Sequence, residues 1–169
     1  KSDSISLDHL PPYSFETQAV WVQIPVSVRT TMEQMEYQLC GGVHAASHAL
    51  LSIIPLHMMC SGSDLGTQCA EPQENSETAD RILLYDKHPG GIGLASQAKL
   101  LFGELLVAAL ELVSSCSCTN SDGCPNCIQS FACSDYNRDL DKAASIFLLK
   151  GVIQYEKLYF EAIDGCYQS

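Results

Sequence analysis

The chain has 169 residues, 46% of them hydrophobic, which is enough for one globular domain with its own apolar core. Twenty acidic and nine basic side chains give a formal net charge of −11 at pH 7. Because phosphate binding draws on clustered lysine and arginine, this balance excludes a surface that grips nucleic acid over its whole extent. Any DNA contact must be local. No apolar run reaches the roughly 18 residues of a membrane span, so we predict no membrane contact.

The first half of the chain predicts a linker, a strand and a helix. Residues 1–14 are polar and end near two prolines, which is typical of a linker, and the domain is predicted to occupy 15–169. Residues 17–24 alternate β-branched and aromatic side chains up to Pro25, as a strand does. Apolar residues then recur every three or four positions from Met32 to Pro55, which predicts one long helix in which Gly41-Gly42 either forms a kink or permits close packing. The acidic segment 61–80 is predicted to be a flexible loop.

The second half predicts one strand and two more helices. The run 81–86 indicates a buried strand, and helical spacing from Leu94 to Leu112 predicts a helix that reaches Ser115. An acidic start at Asp139 and apolar positions up to Leu158 predict the last helix. The expected fold class is α+β, with long helices packed on a small β-sheet.

Five of the nine cysteines lie within 116–133, between the last two predicted helices. The pair Cys124 and Cys127 forms a CxxC with glycine before it and proline inside it, and Cys116 and Cys118 form a CxC just upstream. Thiolates at this spacing favour one structural Zn²⁺ in a tetrahedral site. A secreted disulfide framework fits less well, because such a framework spreads its cysteines, and no signal peptide opens the chain, so we expect a reducing, intracellular location.

The sequence leaves the fourth zinc ligand open between two cysteines. Cys118, Cys124 and Cys127 are the first three choices. Cys116 is preferred over Cys133 as the fourth ligand, because CxC followed by CxxC closes a compact ring.

His44 and His48 lie one helical turn apart, which is the spacing of the zinc-protease motif HExxH. Ala45 stands where that motif needs its glutamate, so the general base of a metal hydrolase is missing. We therefore expect core or interface histidines that are hydrogen-bonded to backbone or carboxylate groups, and a metal hydrolase is a weaker rival.

The glycine-rich turn after residue 86 has two interpretations. It could present backbone N–H groups to a phosphate, or its glycines could allow a strand and a helix to pack tightly, which we prefer. The chain contains neither GxGxxG nor a Walker motif, so the domain alone is not expected to hydrolyse ATP.

Three ordered motifs resemble a known domain over about residues 36–150. They are VHAASHALL at 43–51, LYD at 84–86 running to PGGIGLA at 89–95, and the cysteine segment with CxC, GCPxCxQS and a final Cys133. Together they resemble the C-terminal zinc-binding domain of the mitomycin-repair superfamily-2 DNA helicases, the RecQ-four-like group. Two features depart from the family pattern: Ser47 replaces an acidic residue between the histidines, and the acidic segment 61–80 is longer.

The resemblance implies an accessory domain that follows two motor lobes, binds one zinc through four cysteines and assists an ATP-dependent 3′–5′ helicase in DNA repair. ATP and Mg²⁺ would belong only to the motor domains of the parent chain, and a nuclear, eukaryotic and plant-like protein is expected. Its partners would be those lobes and single-stranded or forked DNA. A zinc-stabilised protein-interaction module without DNA contact is the alternative. Exposed residues near the zinc loop are the candidate DNA contacts: Gln129, Phe131, Tyr136, Asn137 and Arg138.

Overall fold

The computed structural model describes residues 14–67 and 81–167, with side chains described as far as Lys157. Four helices and three strands lie in these ranges. In chain order they are β1 (Ala19–Gln23), α1 (Val26–Gln34), α2 (Leu39–His57), β2 (Leu65–Thr67), β3 (Arg81–Asp86), α3 (Leu94–Ser115) and α4 (Lys142–Tyr167). The predicted α+β class is confirmed. The proposed linker 1–14 falls outside the described residues except for its last position.

The three strands form one antiparallel sheet in the order β1-β3-β2. Along β3 the side chains of Ile82, Leu84 and Asp86 are buried and alternate with half-buried neighbours, so one face of the strand covers the helices. Residues 61–80 were predicted to be a flexible loop, but residues 65–67 form strand β2. Three residues are too few for an alternation pattern to reveal a strand, and 68–80 lie outside the described part of the chain.

The helix predicted from Met32 to Pro55 is wrong at both ends. Helix α1 ends at Gln34, Glu36 takes a left-handed conformation with φ of 60°, and α2 starts at Leu39. Such a break usually carries glycine or asparagine, so the glutamate gives no sequence signal. Pro55 does not end α2, which runs to His57; the proline is exposed in the last turn of the helix.

Helix α2 is the central helix, and it packs against both α3 and α4. The glycine pair allows this close approach: a Cβ at Gly41 would touch the backbone oxygen of Asp139, and one at Gly42 would lie 3.1 Å from the Cβ of Ala144. Of the two predicted uses of Gly41-Gly42, close packing is therefore confirmed. The largest fully buried side chains come from every layer: Met32, Leu50, Ile54, Leu65, Ile82, Leu84, Leu105, Leu106, Val113, Ile128, Leu148 and Leu149.

Helix α2 bears on the expectation that no apolar run reaches the length of a membrane span. Leu39–His57 has 19 residues and a mean hydropathy of 1.4, which suffices by length and composition. In the structure, 61% of the 18-residue apolar stretch within it is buried against the rest of the protein. Its apolar character is that of a core helix packed on both sides.

Candidate metal centre

The cysteine loop joins the end of α3 to the start of α4, as predicted. Cys116 caps α3, directly after its last residue Ser115, and Asp141 precedes α4 and accepts a hydrogen bond on Oδ1 from the backbone N–H of Ala144 at 2.9 Å. The backbone N–H of Lys142 donates to the carbonyl oxygen of Ser121 at 2.8 Å. The loop is thus tied to both helices, so an ion bound in it would link them.

Four thiols meet at one point in this loop. The Sγ atoms of Cys116 and Cys124 are 3.6 Å apart, and Cys127 lies 3.7 Å from both Cys118 and Cys124. A tetrahedral zinc with Zn–S bonds of about 2.3 Å requires sulfur separations of roughly 3.8 Å, whereas a disulfide requires about 2.05 Å. The cluster of Cys116, Cys118, Cys124 and Cys127 therefore fits a zinc site. Where their side chains are described, the cysteines are thiols rather than halves of disulfides.

Hydrogen bonds support negative charge on two of these sulfurs, those of Cys116 and Cys118. The Nζ atom of Lys142 donates to Cys118 Sγ at 3.2 Å and to the carbonyl oxygens of Cys116 and Cys118 at 2.8 and 3.0 Å. The side-chain hydrogen bond to Cys118 raises the pKa of Lys142, and a backbone hydrogen bond from Cys118 lowers the pKa of Cys116 to about 7. Burial raises the pKa of Cys127 to about 12, so bound metal would have to displace that proton. Lys142 could not be recognised from the sequence, because a lysine at a helix start gives no metal-site signal.

Gly123, directly before the CxxC, is needed for the knuckle to close. Its φ is 69°, and a Cβ there would overlap the Ile128 side chain and lie 3.0 Å from Cys127 Sγ. Any side chain at this position would therefore push against a ligand of the candidate zinc as well as against the core.

Gly123→Ala is expected to cost more stability than Gly90→Ala, its matched control. Gly90 is also left-handed, with φ of 80°, but no atom lies within 4 Å of a Cβ there in the described structure. Gly90→Ala should therefore cost only the left-handed penalty of about 1–2 kcal/mol, and Gly123→Ala should add about 1–3 kcal/mol of overpacking and weaken zinc retention. Thermal unfolding and chelator competition measure both effects. Equal losses in the two variants would contradict this role of Gly123.

Cys133 is not part of the four-thiol cluster. Its Sγ lies 3.4 Å from Nε2 of His44, and together with His48 it forms a separate group of donor atoms. The choice of Cys116 over Cys133 as fourth ligand therefore agrees with the geometry. Only the fold reveals this partition, because His44 and Cys133 are 89 positions apart in sequence.

The two histidines are held by backbone groups, as expected. His48 is 2% exposed, and its Nδ1 lies 2.7 Å from the carbonyl oxygen of Ile128, while His44 makes a hydrogen bond with the backbone of Arg138. Their rings meet edge to face with centroids 4.5 Å apart. Burial lowers the pKa of both imidazoles, which favours their neutral forms.

The five candidate DNA contacts divide into two groups. Phe131 is 100% exposed and Tyr136 is 83% exposed, and Arg138 is also at the surface. Gln129 and Asn137 correct the expectation of exposure, because both are half-buried and engaged within the loop. Gln129 Nε2 donates to the carbonyl oxygen of Gly123 at 3.2 Å. The Asn137 amide pairs with the backbone N–H and carbonyl of Ser130 at 2.8 and 3.0 Å.

The glycine-rich turn after β3 is built around Asp86, which the sequence analysis did not single out. This fully buried carboxylate accepts the backbone N–H of Ala95 at 2.7 Å on Oδ1, and those of Ile92 and Gly93 at 2.7 and 2.9 Å on Oδ2. The N–H groups that a phosphate would need are thus already paired within the chain. The structural interpretation of the turn is favoured, because Asp86 and left-handed glycines position the start of α3.

Comparison with known proteins identifies the family. A model described as the MrfA Zn-binding domain matches residues 46–128. The protein MJ1572.1 of Methanocaldococcus jannaschii is 32% identical over 113 residues, which cover 66% of this chain and 99% of that protein. The chain belongs to the MrfA Zn-binding domain family. The matched region takes up nearly the whole of that archaeal protein.

Other relatives of this MrfA Zn-binding domain are helicases. The ATP-dependent helicase hrq1 of Schizosaccharomyces pombe is 31% identical over 157 residues, covering 85% of this chain and 14% of the helicase. The crystal structure of the DUF1998 helicase MrfA bound to DNA superposes with a TM-score of 0.57 and 28% identity, covering 85% of this chain and 18% of that protein. The chain thus spans about a seventh of the fission-yeast helicase.

Proposed function

We propose that this chain is the zinc-binding accessory domain of an ATP-dependent 3′–5′ DNA helicase that acts in DNA repair. In this proposal Cys116, Cys118, Cys124 and Cys127 hold one structural Zn²⁺. The observation that carries it is the tetrahedral spacing of these thiols, in a chain whose relatives include helicases. The domain itself catalyses nothing; ATP and Mg²⁺ act in motor lobes of the parent protein, which the domain supports.

The zinc would act by fixing the junction between α3 and α4. Cys116 is the capping residue after α3, and Lys142, the first residue of α4, donates to Cys118. An ion that joins the four sulfurs would therefore hold the two helix ends together and set the position of the turn that follows the loop. That turn carries Phe131, Tyr136 and Arg138.

The second part of the proposal is that Phe131, Tyr136 and Arg138 guide the DNA strand, with single-stranded or forked DNA as the partner. Exposed aromatic rings stack on bases of any sequence, and an arginine contacts phosphate, which suits a local contact on an acidic domain. Gln129 and Asn137 would serve indirectly, by holding the loop. Nuclear residence in a eukaryotic, plant-like cell belongs to the same proposal, and the nucleus is one of the reducing compartments in which metal-binding thiols persist.

Phe131→Ala/Arg138→Ala in the parent helicase is expected to weaken binding to single-stranded DNA roughly tenfold or more, since one stacked base contributes about 1–3 kcal/mol. The slope of affinity against salt should also fall, because one cationic contact is lost. Fluorescence anisotropy across a salt titration measures both effects. Tyr155→Ala/Lys150→Ala, which removes an exposed aromatic and an exposed base from α4, is the matched control and should leave binding unchanged.

A protein-interaction module without DNA contact is the second candidate, favoured by the net charge of −11. The same titration separates the two candidates. Unchanged DNA affinity and salt slope in Phe131→Ala/Arg138→Ala would remove the guiding role and leave the interaction module as the better account.

A further inference from the structure

A second group of metal-binding side chains lies beside the four-cysteine centre but shares no residue with it. His44 and His48 come from α2, and Cys133 comes from the turn after the zinc loop. One donor atom from each of the three lies within 4.8 Å of the other two. The group combines two imidazoles and a thiol, the donor types that zinc takes most often.

We propose that His44, His48 and Cys133 form a second transition-metal site that binds Zn²⁺ with water as its fourth ligand. This site is separate from the four-cysteine site and does not require it.

The distances between the donor atoms are close to those between the ligands of a bound zinc ion. Zn–N bonds of about 2.05 Å and Zn–S bonds of about 2.3 Å place nitrogen and sulfur ligands roughly 3.5 Å apart in a tetrahedron. Cys133 Sγ and His44 Nε2 are 3.4 Å apart. The His48 donor atom lies within 4.8 Å of the other two donor atoms. A movement of about 1 Å would therefore bring it to the tetrahedral spacing.

Hydrogen bonds to the backbone orient these side chains in the way that such bonds orient the ligands of known metal sites. A metal-binding histidine usually donates its other ring N–H to a carbonyl or carboxylate, which fixes the tautomer. His48 Nδ1 faces the Ile128 carbonyl at 2.7 Å, and since a carbonyl can only accept, the proton sits on Nδ1 and the lone pair on Nε2. The His44 ring also makes a hydrogen bond with the backbone of Arg138. The backbone N–H of Asn137 donates to Cys133 Sγ at 3.3 Å, which supports a thiolate.

The fourth position would face solvent. Among the described residues no fourth cysteine, histidine or carboxylate joins the group within the same distance. His48 and Cys133 line a groove of about 530 Å³, with Tyr85, Lys87 and Phe131 on its other sides. Zinc sites that keep a bound water have this arrangement, with three protein ligands and an open fourth position.

Binding is an acid–base step without electron transfer. Two Zn–N bonds and one Zn–S bond form, hydration water leaves the ion, and the Cys133 thiol releases one proton to solvent. Zn²⁺ stays divalent, so no oxidant or reductant is needed.

Zinc stoichiometry of the reduced chain tests the proposal. After exposure to Zn²⁺ and removal of loosely bound ions, mass spectrometry should find two zinc ions per wild-type chain and one in His44→Ala/Cys133→Ser. Cys124→Ser/Cys127→Ser should also retain one, held by the second group. His57→Ala and Cys60→Ser remove an imidazole and a thiol from outside both groups and should retain two.

Circular dichroism of each variant separates metal loss from unfolding, and Cys133→Ser alone provides a near-isosteric second variant. One zinc in folded wild type that persists in His44→Ala/Cys133→Ser and is lost in Cys124→Ser/Cys127→Ser would overturn the second site and leave the first intact. The reverse pattern would support the second site and overturn the four-cysteine assignment. Alkylation adds an independent readout: zinc should protect Cys133 in wild type but not in His44→Ala.

Discussion

Cys124→Ser/Cys127→Ser is expected to lower the free energy of unfolding by about 4 kcal/mol, the stabilisation that a ligand supplies at a thousand times its dissociation constant. For a domain of this size that corresponds to a fall in Tm of roughly 8–16 °C. The physical reason is that serine hydroxyls do not replace thiolates as zinc ligands, so the link between the ends of α3 and α4 is lost. Thermal unfolding with zinc present measures the effect.

A chelator distinguishes zinc loss from simple side-chain damage. In excess chelator the wild type should unfold close to the variant, because neither then holds the ion at this site. Cys60→Ser is the matched control, since Cys60 is a half-buried thiol outside both donor groups, and it should unfold with the wild type. A difference between wild type and variant that survives chelation unchanged would show that the cysteines stabilise the loop without metal.

Asp86→Ala is expected to be the most destabilising substitution outside the cysteine loop. Three backbone N–H groups, those of Ile92, Gly93 and Ala95, would lose their acceptor in a buried place. Each unsatisfied donor costs about 1–3 kcal/mol, and we expect a total of at least about 3 kcal/mol and a fall in Tm of roughly 6–12 °C. Denaturant unfolding monitored by circular dichroism measures the loss.

Asp86→Asn provides a graded comparison, because the amide keeps one acceptor oxygen and gives up the charge, so its loss should be intermediate. Glu104→Ala removes an exposed carboxylate from α3 and should change stability by less than about 0.5 kcal/mol. If Asp86→Ala unfolded like Glu104→Ala, the carboxylate would not be what positions the start of α3.

Parts of the fold that depend on local pattern could be predicted from the sequence. Helix α3 shows an unbroken helical spacing that ends at Ser115, and the structure ends it there. The thiols of CxC and CxxC lie close in sequence, so a short loop is enough to bring them together, and the favoured set of four is the one that the fold assembles.

Parts that depend on distant contacts could not. The separation of Cys133 from the cluster follows from its meeting with His44 across 89 positions, which no spacing rule reveals. The break between α1 and α2 passes through a left-handed glutamate, Glu36, in a turn closed by the hydrogen bond from the Tyr37 backbone N–H to the Met32 carbonyl oxygen, and a glutamate gives no sequence signal for that conformation. The role of Asp86 required the start of α3 to be placed over the end of β3.

Similarity to helicases concerns the protein in which this domain works, whereas the contacts within the structure concern the roles of single residues. Similarity to hrq1 and to the DNA-bound MrfA structure supports a place beside helicase motors, but it does not assign a role to any residue. The contacts of Gln129 and Asn137 narrow the proposed DNA surface, because amides that hold the loop are poorly placed to bind a strand as well. The proposed DNA surface is therefore tested by substituting Phe131 and Arg138.

Zinc X-ray absorption spectroscopy on the His44→Ala/Cys133→Ser variant reports on the four-cysteine site by itself, because only that site is left to bind the ion. We predict four sulfur neighbours at about 2.3 Å and no nitrogen in the first coordination shell. A shell with fewer sulfurs, or folded and reduced protein that takes up no zinc, would contradict the assignment of Cys116, Cys118, Cys124 and Cys127 as the structural zinc site.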